Sequence, residues 1–177
     1  MHRVSEIIGK TVVSAETGDR LGSIADALVD QGRVVALVLG GGLLGKEHVL
    51  PFRDIQTLGG DTVLARTGSG MMDPREWRKA GTETARSSAL RGKPVVTTGG
   101  RRLGHINDLL VDAQTGAFEE LEVSSGGLRS RRTRLRASTQ IRIGADAVVV
   151  PEDALEHADD ADAAATPDPR SSSGSST

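Results

Sequence analysis

The chain has 177 residues and a formal charge of −2, with no cysteine, no tyrosine, one tryptophan and two phenylalanines. Without cysteine there is neither a disulfide framework nor a thiolate metal site, and so few aromatics leave little to stack on nucleic-acid bases. No stretch approaches the ~18 apolar residues of a membrane span, and no basic segment with a long apolar run opens the sequence, so a cytoplasmic chain with a Val, Ile, Leu and Ala core is expected.

Runs of Val, Ile and Leu bounded by Gly/Asp/Asn clusters predict short strands at 11–14, 21–29, 33–39, 47–52 and 62–65. The turns between them are "ETGDR", "DQGR", "LGGGLLGK" and "LGGD". The third turn contains "GGGLLGKE" (40–47), which matches a phosphate-binding loop up to its last position. Its context is wrong: such a loop opens a helix, whereas strand-like "EHVLPF" follows, and Glu47 stands where a Ser/Thr hydroxyl would hold Mg²⁺. A hairpin turn is expected instead, with Lys46 and Glu47 starting the return strand.

"MDPREWRKAG" (72–81) carries helix punctuation, with Asp73 as N-cap, Pro74 first in the helix, Glu76 at the capping-box position and Gly81 just past the end. Trp77 sits inside this helix. It is expected either to dock on a barrel wall or to anchor a partner. A second strand series follows at 94–97, 103–111, 117–123, 131–137 and 147–150. "PEDALEHA" (151–158) reads as a helix turn, and the Asp/Ala/Pro/Ser composition from Asp159 onward reads as disordered.

The two series are one module repeated. Gly9, Lys10, Val12 and Val13 match Gly92, Lys93, Val95 and Val96. Leu21, Gly22, Ile24, Asp26, Leu28, Val29 and Asp30 match Leu103, Gly104, Ile106, Asp108, Leu110, Val111 and Asp112, and "LGGDTVL" (58–64) matches "IGADAVV" (143–149). Each copy fits a closed or nearly closed antiparallel barrel, which hides edges that a small sheet cannot otherwise cover.

On "IGKTVVSAETGDRLGSIADALVD", "RVVALVLGGGLLGKEHVLPFRDI" and the matching stretches of the second copy, each module resembles a PRC-barrel domain. That is the small barrel named for the photosynthetic reaction-centre H subunit and also found in a ribosome-maturation factor. The resemblance implies an all-β fold of two PRC-type barrels and a role as an interaction module, with no catalytic residues to carry over. The domains are expected at 1–66 and 88–155, joined by a linker at 67–87 with its short helix and followed by an acidic tail at 156–177.

Candidate chemistry is sparse. The histidines lack metal-ligand spacing and no nucleophile elbow occurs, so no cofactor, metal or catalytic residue is expected. Asp26, Asp108, Asp30 and Asp112 are read as acceptors for turn N–H groups, and an enzyme would need a carboxylate or histidine cluster facing a pocket, which is not expected.

The basic stretch "RSRRTRLR" is different. As a strand it places Arg132, Arg134 and Arg136 on one face, with Arg129 and Arg131 beside them. Guanidinium groups in such a row bind carboxylate or phosphate in bidentate fashion. The tail is acidic, with seven acids and one arginine in residues 152–177, and is a candidate screen for this row. The expected partner is an acidic protein surface, bound through Arg129, Arg131, Arg132, Arg134, Arg136 and Trp77. RNA or the ribosome is the alternative; sequence-specific DNA reading and membrane insertion are not expected, and the oligomeric state is left open.

Overall fold

In the computed structural model, which describes residues 1–40, 45–66, 70–81, 83–125, 131–137, 141–155 and 159–160, both strand series form. The chain opens with β1 (His2–Arg3) and α1 (Val4–Ile7). The first module follows: β2 (Thr11–Ser14), β3 (Arg20–Asp30), β4 (Arg33–Gly40), β5 (His48–Pro51), β6 (Ile55–Thr57) and β7 (Thr62–Ala65). Next come α2 (Pro74–Lys79), β8 (Ala85–Arg86) and α3 (Ser87–Leu90). The second module comprises β9 (Pro94–Thr97), β10 (Arg102–Val111), β11 (Phe118–Ser124), β12 (Arg132–Arg136), β13 (Arg142–Ile143) and β14 (Val148–Val150). A 3-10 turn at Glu152–Leu155 and β15 (Asp159–Asp160) end the described chain.

The sheet orders are the same. The first runs β5-β4-β3-β2-β7-β6; the second runs β12-β11-β10-β9-β14-β13, with β15 added beyond β12. Pairing is antiparallel, as expected of these barrels, except for one parallel ladder in each module, β2–β7 and β9–β14. The cause is visible in the first module, where the 3-10 turn Phe52–Asp54 carries the chain straight from β5 at one end of the order to β6 at the other. The β6–β7 hairpin then sets β7 beside β2 in the same direction. Among the described residues no ladder joins β5 to β6 or β12 to β13.

The shared L-G pair has a steric reason. Gly22 (φ +152°) and Gly104 (φ +145°) sit at register shifts where β3 and β10 bend over their neighbours. A Cβ at Gly104 would run into the Ser124 carbonyl oxygen, and one at Gly22 would lie 3.1 Å from that of Gly40. Only glycine combines this backbone conformation with so close an approach.

The modules are not independent beads. β1 precedes the first module but pairs with β10 of the second, and β8 precedes the second but pairs with β3 of the first. The β3–β4 and β10–β11 hairpin tips also meet, Val34 N–H donating to Gly116 O and Phe118 N–H to Gly32 O, both at 2.8 Å. These reciprocal contacts relate the copies by a pseudo-twofold axis. One continuous apolar core runs through both, from Ile7, Val12, Leu37, Leu50 and Val63 to Leu90, Val95, Leu121, Leu135 and Val148.

The linker helix forms as its punctuation predicts. The Asp73 side chain accepts from Arg75 N–H at 2.7 Å, and Glu76 completes the capping box. The tail departs from expectation at its start, since Asp159–Asp160 form β15 along β12. Residues 161–177 lie outside the described residues.

Candidate interaction surface

Each exchanged arm is held by one buried aspartate of the other module. Asp108 accepts from Ser5 through both N–H and hydroxyl. Asp26 accepts from Ser88 N–H at 3.2 Å and from the Ser88 and Ser87 hydroxyls at 2.5 and 2.6 Å. The expectation that these two acids serve turns is therefore corrected. Both sit within bent strands and face the arm across the module boundary. Asp112 does serve a turn, accepting from Gln114 N–H, Thr115 N–H and the Thr115 hydroxyl.

The two aspartates line one cavity of about 260 Å³ on the pseudo-twofold axis, with Ser5, Ser88, Ile8 and Arg91. This corrects the expectation that no carboxylates meet at a pocket. Burial raises the pKa of Asp26, but the hydrogen bonds from Ser87, Ser88 and the Ala27 and Ser88 N–H groups outweigh it and hold the carboxyl below its ordinary value. Such a group is a stable anion and a weak base, the opposite of a carboxyl tuned toward neutrality for proton transfer. Among the described residues, no group of three or more His, Cys, Asp or Glu side chains is placed to hold a metal ion.

A second anchor shows how the copies diverged. Arg86 pairs with Glu47 at 2.7 Å, with both side chains more than 40 % exposed. The equivalent arm residue, Arg3, pairs at 2.5 Å with Glu122, which is fully buried and also accepts from the Asn107 amide. By strand register Glu122 occupies the place of Val38, and Arg132 the place of Glu47. The arm's carboxylate partner has thus moved from the entry of β5 to the middle of β11. Glu47, which spoils the apparent phosphate loop, is an inter-module ion-pair partner. The strand β5, not a helix, follows Lys46, and residues 41–44 of that turn lie outside the described residues.

The same substitution recolours one barrel wall. In the first module Leu28, Ala36, Val38 and Val49 form an apolar outer patch, covered by Met72 and Trp77. Trp77 is half-buried there, its indole N–H reaching the Thr84 hydroxyl at 3.4 Å. The docking expectation for Trp77 matches this placement. In the second module the register places Leu110, Glu120, Glu122 and Arg134 on the matching wall.

The arginine strand alternates as expected, with Leu135 buried and Arg132 and Arg136 exposed. The middle member differs from a solvent-facing row, because Arg134 lies opposite Glu122 and its Nε is 3.9 Å from Glu120, with both side chains at most a quarter exposed. Arg131 is exposed just before β12; Arg129 lies outside the described residues. Beyond its pairing with β11, β12 is met among the described residues by the two-residue β15, in the register Thr133–Asp160 and Arg134–Asp159. The 3-10 turn after the barrel is pinned to β9, because Glu152 accepts from the Thr97 hydroxyl at 2.5 Å and from Gly99 N–H at 2.9 Å.

Sequence reasoning missed Ser5, Ser88, Arg3, Arg86 and Glu122. The signal was present: "RVSEIIGK" and "RSSALRGK" extend the repeat upstream and share the Arg and Ser of the arm.

Two copies of one small barrel, each clasping the other's leading arm, define a tandem β-barrel protein. The PRC-barrel domain family matches residues 1–72 and 83–157, and the chain belongs to that family. Both matched stretches begin with the arm, so the family unit includes the segment that is exchanged. A search of the curated proteins gave no match for the chain. Among the described residues no helix is long and apolar enough to cross a membrane.

Proposed function

We propose that the chain is a non-enzymatic binding module that recognises an acidic protein segment along the arginine-bearing edge of its second barrel. The observation that carries this reading is the edge itself: β12 presents exposed Arg132 and Arg136 beside a strand flank that, among the described residues, is paired with two residues of the chain's own acidic tail. An edge strand with unspent backbone groups is a template for an added strand, and charged side chains on it select the partner. In the first barrel Met72 and Trp77 cover the matching wall among the described residues, and Glu47 engages Arg86.

Catalysis is disfavoured by the spent hydrogen-bonding capacity of Asp26 and Asp108. The scarcity of aromatics disfavours base stacking. The test is a pair of titrations, with a labelled aspartate-rich peptide and a labelled single-stranded RNA of equal charge, against the wild type and an Arg132→Ala, Arg136→Ala variant. Peptide binding that the variant loses supports the reading. RNA binding without peptide binding, with a steep salt slope, replaces it by the polyanion alternative.

A further inference from the structure

We infer that β15 is a self-ligand: residues 159–160 occupy the partner's place on β12, so the true partner is an extended acidic segment that adds antiparallel to β12 by displacing the tail. This rests on the proposed function and specifies the occupant of that edge. Three observations support it. β15 is seated as an added strand, antiparallel, with Asp159 opposite Arg134 and Asp160 opposite Thr133. The segment carries complementary charge, since residues 152–177 hold seven acids against one arginine. The segment starts close to the barrel, because Glu152 anchors the preceding 3-10 turn to β9 four residues after the last strand of the barrel begins.

The equivalent position in the first module shows what a permanent cover looks like. There Met72 bridges Val49, the register equivalent of Arg134, by two backbone hydrogen bonds of 2.9 and 3.0 Å. That cover continues directly into the capped helix α2, whose Trp77 packs with Met72 on the apolar wall. In the second module the described cover is two aspartates against a wall of arginine and glutamate. Replacing one acidic strand by another preserves the antiparallel register and the sign of the charge on this edge, and a segment of the same chain competes at a high effective concentration.

The test uses the full chain, a variant with Asp159→Pro and Asp160→Pro that cannot complete the ladder, and an Asp159→Lys, Asp160→Lys variant. The probe is a fluorescein-labelled peptide with the sequence of residues 153–166. The expected result is peptide affinity at least tenfold higher for both tail variants than for the wild type, with the gain abolished when Arg132→Ala and Arg136→Ala are added. Equal affinity for wild type and tail variants, still lost in the arginine variant, overturns the self-ligand and leaves the binding reading in place. Binding that ignores the arginine substitutions in every background overturns both.

Discussion

Ser88 and Asp26 face each other across the module boundary, the Ser88 hydroxyl donating at 2.5 Å, and Ser5 and Asp108 repeat the contact on the opposite side of the axis. Each aspartate is buried, and each accepts from a segment that precedes the other barrel. Cutting either contact therefore loosens both modules. Asp26→Ala leaves the Ser87 and Ser88 donors without an acceptor, and a loss of about 2–3 kcal/mol is expected. Chemical denaturation should still show one transition, since the core is shared. Two separated transitions in the wild type would mean that the modules fold independently.

The same carboxyl sets an acid limit. Because the folded-state pKa of Asp26 lies below its ordinary value, the unfolded chain takes up the proton first as pH falls. Its contribution is complete above the unfolded carboxyl range, about pH 4, and is lost as pH falls through the lower folded value. Stability measured from pH 7 to pH 2 should thus be level at first and then fall. In Asp26→Asn the fall should be shallower.

Glu122 and Glu47 hold equivalent arginines in different surroundings, and their removal should separate them. Glu122→Ala strips a fully buried carboxylate from Arg3 and from Asn107, with an expected cost of about 3 kcal/mol or more. Glu47→Ala breaks an exposed pair and should cost less than about 1 kcal/mol, with the loss shrinking further in high salt. Urea denaturation of the two variants makes the comparison.

Gly104→Ala combines an unfavourable φ with a Cβ driven into the Ser124 carbonyl. Destabilisation beyond about 1 kcal/mol is expected, and more than for Gly22→Ala, where the nearest atom is farther away. Thermal unfolding of both variants checks the order.

Trp77→Ala should bare the wall formed by Leu28, Ala36, Val38 and Val49. A half-buried tryptophan on a satellite cluster is worth about 1–2 kcal/mol, below the range for a core site. The variant should bind a hydrophobic dye and keep its affinity for acidic peptide, because Trp77 lies on the first barrel and the arginine edge on the second.

The barrel strands were legible because apolar runs of four to nine residues stand between turn clusters, and duplication doubled the signal. The α2 helix was legible from its caps alone. The arms were not: "VSEI" and "SSAL" are too short for periodicity, and their pairing depends on the other module. Asp26 and Asp108 read as turn acids because nothing in one strand shows that it bends to meet an arm. Glu122 lies in "FEELEV", where alternation gives no sign of full burial; only the paired change of Val38 to Glu122 and Glu47 to Arg132 between copies betrays a relocated charge. The arginine row was visible, but the engagement of Arg134 by Glu120 required the neighbouring strand.

Amide hydrogen exchange of the full chain, with and without a saturating aspartate-rich peptide, tests the binding account most directly. It predicts slowed exchange concentrated in residues 132–136, with β5 of the first barrel unchanged. Protection that appears instead around the cavity lined by Asp26 and Asp108, or nowhere in β12, would contradict it.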